Sequence, residues 1–68
     1  MTATETITTE QLTADVDVAD LIATRDELAN LAPEDAAVVY DTADNALRVE
    51  GMTAAQAIAE INATIAAR

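Results

Sequence analysis

The side chains that could carry out chemistry in this 68-residue chain are few in kind. Nucleophilic and imidazole catalysis use Ser, Cys, Lys or His, and the sequence contains none of these residues. It does contain 13 carboxylates, many threonines, Tyr40 and three arginines. Paired carboxylates perform acid–base catalysis when a pocket raises the pKa of one of them, and a chain this short has little room to enclose a pocket. The residue types therefore predict that the protein is not an enzyme.

Cofactor and metal sites are disfavoured for the same reason. Phosphate-binding loops need several glycines, and Gly51 is the only glycine in the sequence. Asp15, Asp17 and Asp20 have a spacing that suggests a calcium loop, but the glycine at loop position six and the glutamate at position twelve are missing. We therefore expect neither a cofactor nor a metal ion.

The charge is strongly unbalanced, with 13 acidic against 3 basic residues and a net charge of −10. Nucleic acids and anionic membranes demand a basic surface, so we expect the chain to bind neither directly. A protein partner remains, either a basic protein or another copy of this chain. The residues proposed to contact it are Asp20, Glu27, Glu34, Asp35, Asp41, Arg48 and Glu50.

The material for a hydrophobic core is thin, although 51% of the residues are apolar. Seventeen of these residues are alanine, whose methyl group buries little area, and stabilisation scales at about 25 cal/mol per Å² removed from water. We therefore expect a homo-oligomer or a subunit of a larger complex, in which a partner surface completes the core. No apolar run is long enough to span a bilayer and no secretion signal is visible, so we expect a cytoplasmic or virion location.

Residues 1–15 are predicted to be a flexible N-terminal arm, because no helical or strand period is sustained there. Thr8-Thr9-Glu10-Gln11 nevertheless has the pattern of a capping box, which could start a helical turn. The rest of the chain, residues 16–68, is predicted to form a single small domain.

A helix is predicted over residues 18–31. Asp17 is a suitable N-cap residue, and Pro33 ends the element because the residue before a proline avoids the helical region. The apolar residues at helical spacing are Val18, Leu21, Ile22, Leu28 and Leu31.

Residues 38–50 allow two interpretations, a further helix or a β-hairpin. The hairpin is favoured because Asp44-Asn45 suits a two-residue turn and β-branched residues precede it. A turn centred there pairs Tyr40 with Val49 and Asp41 with Arg48. The predicted apolar face then carries Val38, Tyr40, Thr42, Leu47 and Val49, and the predicted polar face carries Val39, Asp41, Ala43, Ala46, Arg48 and Glu50.

The C-terminal segment is predicted to be a helix from Ala54 to about Ala67. Thr53-Ala54-Ala55-Gln56 is a capping box, and Ile58, Ile61 and Ile65 follow at helical spacing. Arg68 is expected to interact favourably with the C-terminal end of the helix dipole.

The predicted fold class is therefore α+β, a small α-ββ-α domain, with a three-helix all-α domain as the alternative. In the order and length of its elements this arrangement resembles the small head–tail joining proteins of lambdoid phages. That resemblance implies a structural role in a virion.

Two functions are predicted from these observations. The first is a non-catalytic protein–protein interaction or assembly module, such as a small structural component of a phage or another large complex. The alternative is an acidic inhibitor that mimics nucleic acid and blocks a basic, nucleic-acid-binding protein. Salt-sensitive binding to a basic partner would distinguish the second function from the first.

Overall fold

The structure is a computed structural model that describes residues 3–42 and 44–68. Its elements in chain order are β1 (Ala3–Ile7), α1 (Thr9–Thr13), α2 (Val18–Leu28), β2 (Ala36–Thr42), β3 (Asn45–Thr53) and α3 (Ala54–Ala66). The strands form one sheet in the order β1-β3-β2, in which β1 runs parallel to β3 and β2 runs antiparallel to it. The predicted α+β class is confirmed, and the all-α alternative is not supported.

The helices cover one face of the sheet, and the core lies between the two layers. Val39 on β2 and Val49 on β3 point from the sheet into this core, and Leu21, Leu28 and Ile61 meet them from the helices. Leu21, Leu28, Val49 and Ile61 have no exposed surface. Full burial of a side chain of this size contributes about 1.5–3 kcal/mol, so these four side chains dominate the stability of a small core.

The start of α3 agrees with its sequence signal. The Thr53 hydroxyl accepts a hydrogen bond from the backbone N–H of Gln56, and the Gln56 side chain accepts from the backbone N–H of Thr53. The predicted capping box is therefore confirmed. Met52, directly before the cap, packs against the core.

Helix α2 begins as predicted after Asp17 but ends at Leu28, earlier than the predicted residue 31. The next amides bond back with shorter spacing, Asn30 to the carbonyl of Glu27 and Leu31 to that of Leu28, so the last turn tightens. Only part of the predicted apolar stripe is buried. Val18 and Ile22 remain 37% and 38% exposed.

The N-terminal segment differs from the predicted arm. Residues 3–7 form strand β1, and residues 9–13 form helix α1, which begins with a capping box between Thr8 and Gln11. Ile7 and Leu12 are the buried residues that hold this segment to the core. Met1 and Thr2, which also belonged to the predicted arm, lie outside the described residues.

The hairpin is confirmed, but its predicted register and the predicted faces of β2 are wrong, whereas Leu47 and Val49 of β3 lie on the core side as predicted. Tyr40 pairs with Ala46 and not with Val49, and Val38 pairs with Arg48. The predicted apolar face is reversed on β2, because Ala37 and Val39 are buried whereas Tyr40 is 60% exposed. A change of register by an odd number of residues moves every side chain to the other face. Ala43, placed on the predicted polar face, lies outside the described residues.

Arg68 has a different role from the one expected at a helix end. Its guanidinium donates hydrogen bonds to the backbone carbonyl of Val16 and, at 3.2 Å, to that of Thr13. The end of the chain is thereby tied to the connection between α1 and α2. That connection contains Asp15, the described non-glycine residue with a positive φ, of 56°.

Candidate functional site

One face of the sheet is turned away from the helices, and we call it the open sheet face. Because successive side chains of a strand alternate between faces, the neighbours of buried Val39 and Val49 point to this side. The strand registers arrange its residues in two rows across the sheet. The rows are Thr4, Ala46 and Tyr40, and Thr6, Arg48 and Val38.

Tyr40 is the largest exposed apolar group of the described chain. Its side chain is 60% exposed, compared with 38% for Ile22 and 37% for Val18 on α2. Aromatic residues and arginine are enriched among the residues that carry the binding energy of protein interfaces. Arg48, also exposed, stands in the neighbouring row of the same face.

Ala46 lies at the centre of the first row and is only 4% exposed, although none of the described helices covers this side of it. Its methyl group is short, and its cross-strand neighbours Thr4 and Tyr40 stand on either side. The open sheet face is therefore shallow at Ala46 and is bordered on the β2 side by the larger, exposed side chain of Tyr40.

The outer edge of β2 adjoins this face. β2 lies at the end of the strand order, so one side of its backbone has no partner strand among the described residues. The backbone N–H of Tyr40 points to that side, because it donates to Oε1 of Glu27 on α2 at 3.0 Å. A side chain from a helix thus occupies the place where a further strand would bond, a common means of protecting a sheet edge.

Glu27 belongs to a group of acidic residues beside this edge. Asp20 and Glu27 are seven residues apart, about two helical turns, so they lie on the same flank of α2. Glu34 and Asp35 follow in the exposed loop that leads into β2. We call these four residues, Asp20, Glu27, Glu34 and Asp35, the acidic flank.

The loop of the acidic flank is held in place by α3. The backbone N–H of Ala54 donates to the carbonyl of Asp35 at 2.7 Å, and that of Ala55 donates to the carbonyl of Pro33 at 3.2 Å. These bonds satisfy two amides of the first helical turn, which lack partners inside the helix. Glu34 and Asp35 therefore stand near the positive end of the α3 dipole, where negative charge is stabilised.

The seven predicted contact residues lie in three places. Asp20, Glu27, Glu34 and Asp35 form the acidic flank, and Asp41 lies within β2 itself. Arg48 and Glu50 lie on β3 on either side of buried Val49, which directs them away from the helices. Arg48 thus belongs to the open sheet face and not to the acidic flank.

Sequence reasoning missed Tyr40, Val38, Thr4 and Thr6 as surface residues. Tyr40 and Val38 were placed on the predicted apolar face because a turn centred on Asp44-Asn45 groups them with Leu47 and Val49, and the observed register does not. Thr4 and Thr6 were assigned to the arm. The capping box at Thr8 was the one signal in this segment that pointed to structure.

The part of the chain that the structure describes contains no enclosed cavity and no group of three or more acidic side chains arranged to share a metal ion. Within the same residues, no helix has the length and apolar character needed to cross a bilayer. In comparisons with known proteins, no family model, no curated protein and no solved structure matches this chain.

Proposed function

We propose that this protein is a non-catalytic protein-binding module that binds a basic protein through the open sheet face. The observation that carries the proposal is the exposure of Tyr40 beside Arg48 and Val38 on a sheet face without a covering layer. An exposed aromatic group next to an arginine has the composition of an interface centre.

The charge of the chain argues for the class of partner. Two copies would each bring a net charge of −10 to an interface, and such like-charged surfaces repel each other. A basic partner would instead be attracted, most strongly at low salt. We therefore favour a basic protein over a second copy of this chain.

Two measurements test the proposal. Light scattering after size exclusion, at low and high salt, should give a monomer for the purified protein; a dimer that survives high salt would contradict the choice of a basic partner. A photo-crosslinking residue, p-benzoylphenylalanine, is then placed at position 40, with the same residue at exposed Ala59 on α3 as the control. In extracts of the source cells, position 40 should give an adduct with a basic protein and position 59 should not.

The partner identified by the crosslink is then purified for quantitative binding. Tyr40→Ala should weaken its binding by at least about 30-fold, the effect of losing an interface hot spot. Ile22→Ala, which removes an exposed apolar side chain from α2, is the matched control and should leave binding unchanged. Equal effects of the two substitutions would contradict the open sheet face as the binding surface.

The acidic flank favours a second candidate function, inhibition of a basic nucleic-acid-binding protein. No Lys or Arg occurs in the sequence between Arg25 and Arg48, whereas six acidic residues do. Under this hypothesis Asp20→Asn and Glu27→Gln together should weaken binding steeply, and added nucleic acid should compete with the protein for its partner. Binding with which added nucleic acid does not compete would contradict inhibition while leaving the first function in place.

A further inference from the structure

We propose that the outer edge of β2 accepts an extended segment of the partner as a fourth strand, and that Glu27 is the group which this segment displaces. The inference rests on the proposed function, because it names the mode of binding at the same side of the sheet. Added strands bind through main-chain hydrogen bonds, and alternate side chains of the strand give specificity.

The backbone geometry of β2 provides the first argument. Tyr40 uses its N–H outside the sheet, in the bond to Glu27, so its pairing with Ala46 is of the type whose N–H and C=O groups point away from the partner strand. Val38 is two residues away in an uninterrupted register, so its groups point to the same side. The outward N–H and C=O groups of Val38 and Tyr40 can therefore form the first hydrogen bonds to an added strand.

The surroundings of the edge determine the sequence that fits it. A fourth strand would present alternate side chains to the two faces of the sheet. Those on one side would lie beside Val38 and Tyr40 on the open sheet face, and those on the other would lie beside Glu27 on α2. The expected segment therefore alternates apolar with basic residues.

Glu27 links the free and bound states in this scheme. In the free protein its carboxylate accepts the Tyr40 N–H, which would otherwise lack a protein partner. In the complex a carbonyl of the added strand accepts that N–H, and the released carboxylate pairs with a basic side chain of the same strand. Each of these polar groups therefore has a hydrogen-bonding or ion-pair partner in both the free and the bound state.

The other sheet edge fits this role less well. β1 has 5 residues against 7 in β2, and its exposed side chains on the open sheet face are Thr4 and Thr6. It offers no aromatic group, and no helix of the described chain places an acidic side chain on its backbone amides. We therefore assign the strand-addition site to β2.

The test uses two peptides of identical composition, Ac-KVKVKVKV-NH2 and Ac-KKVVKKVV-NH2, with the isotope-labelled protein followed by NMR. Only the first peptide alternates basic and apolar residues. It should bind more tightly, shift the amide signals of Val38 and Tyr40, and slow the hydrogen exchange of both. An acidic peptide, Ac-EVEVEVEV-NH2, should not bind.

Two variants of equal charge then separate displacement from simple attraction. Glu27→Gln retains a side-chain oxygen that can accept the Tyr40 N–H, whereas Glu27→Ala removes the competing acceptor. If the segment must displace residue 27, the alanine variant should bind Ac-KVKVKVKV-NH2 about 2- to 10-fold more tightly than the glutamine variant, the range of one net hydrogen bond. Unchanged circular dichroism of both variants verifies the fold.

The remaining outcomes overturn the inference. Equal binding of the two lysine peptides, with equal affinities of the two variants, would mean that charge attraction acts without strand pairing. Shifts confined to residues of β1 would move the site to the other edge, and no binding of either lysine peptide would exclude strand addition by basic segments. None of these results removes the proposed function, because that function stands or falls by the crosslink from position 40.

Discussion

The chain contains the same strand–helix arrangement twice, and we call the two occurrences the first unit (β1 and α1) and the second unit (β3 and α3). The two units differ in the number of side chains that their helices bury. In each, a strand leads directly into a helix through a capping box, Thr8 to Gln11 before α1 and Thr53 to Gln56 before α3. The two strands, β1 and β3, are parallel neighbours in the sheet. The first helix has 5 residues and one buried side chain, whereas the second has 13 residues and three.

The difference between α1 and α3 shows that a capping box and core packing contribute separately to a helix. The capping box satisfies amides at the start of a helix but provides nothing to extend it. After Thr53 an isoleucine repeats at helical spacing and faces the core, while after Thr8 only Leu12 does so. Helix length in this protein therefore follows the buried stripe and not the starting signal.

The largest expected effect comes from removing the central contact of the second unit. Ile61 has no exposed surface, so Ile61→Ala should lower the free energy of unfolding by about 2–5 kcal/mol. Urea denaturation followed by circular dichroism measures this. The matched substitution in the first unit, Leu12→Ala, should lie at the lower end of the same range because that side chain serves a short helix. A larger loss for Leu12 would reverse the comparison.

Removing each cap sharpens the comparison at the start of the helices. Thr53→Ala should destabilise the protein by about 1 kcal/mol, because the N–H of Gln56 loses its acceptor at the start of a long helix. Thr8→Ala removes the same bond from α1 and should cost less, since five residues depend on it. Thermal unfolding of the two variants and of Thr53→Ser, which keeps the hydroxyl, would test this. Equal losses would mean that α1 is as tightly coupled to the core as α3.

The strands of the two units differ at the second position before the cap, which is Thr6 in one and Gly51 in the other. Gly51 has a φ of 71° with open space where a Cβ would lie, so Gly51→Ala should cost about 1 kcal/mol through backbone strain alone. Thr6→Ala, at an exposed position of a regular strand, should change stability by less than about 0.5 kcal/mol. Urea midpoints of the two variants provide the measurement, and a neutral Gly51→Ala would contradict the strain argument.

An effect of similar size is expected at the contact between the end of α3 and the connection after α1. Arg68, beyond the end of α3, bonds to the carbonyls of Val16 and Thr13 after α1. Arg68→Ala should destabilise the protein by about 0.5–1.5 kcal/mol and should speed amide exchange in α1 more than in α3. Arg68→Lys, which keeps the charge but not the two-armed donor, should recover part of the loss. Uniform acceleration of exchange in both helices would show that Arg68 does not act locally.

Much of the fold could be predicted from the sequence where a signal was local. The capping box at Thr53 and the isoleucine stripe define α3, and the turn residues around Asp44 indicate the hairpin. Strand β1 could not be predicted in this way. It has one buried apolar side chain, Ile7, and its pairing partner β3 lies far along the chain, so no periodicity within residues 1–15 reveals it.

The acidic character of the candidate surface could be predicted from the sequence, but the positions of its residues could not. Acidic residues on the surface follow from composition, and Glu27 on the exposed side of α2 follows from helical spacing. That Glu27 reaches the Tyr40 amide depends on the hairpin register. The register at Tyr40 depends in turn on an irregularity beside the hairpin turn, where Tyr40 pairs with Ala46 but Thr42 pairs with Asn45. A second irregularity, between Ala36 and Val38, lies opposite the β3 residues that include Gly51. Both alternating sets of β2 are apolar, so the sequence pattern alone leaves its face undecided.

The parallel pairing of β1 with β3 also sets an order of assembly. Ala3 pairs with Asn45 and Ile7 with Val49, so β1 is synthesised well before the strand with which it pairs. The hairpin joins residues close in sequence and closes quickly, whereas contacts between distant residues form slowly. At about 5–20 residues per second, the N-terminal strand waits for seconds during translation, and its threonines and Glu5 keep it hydrated until β3 arrives.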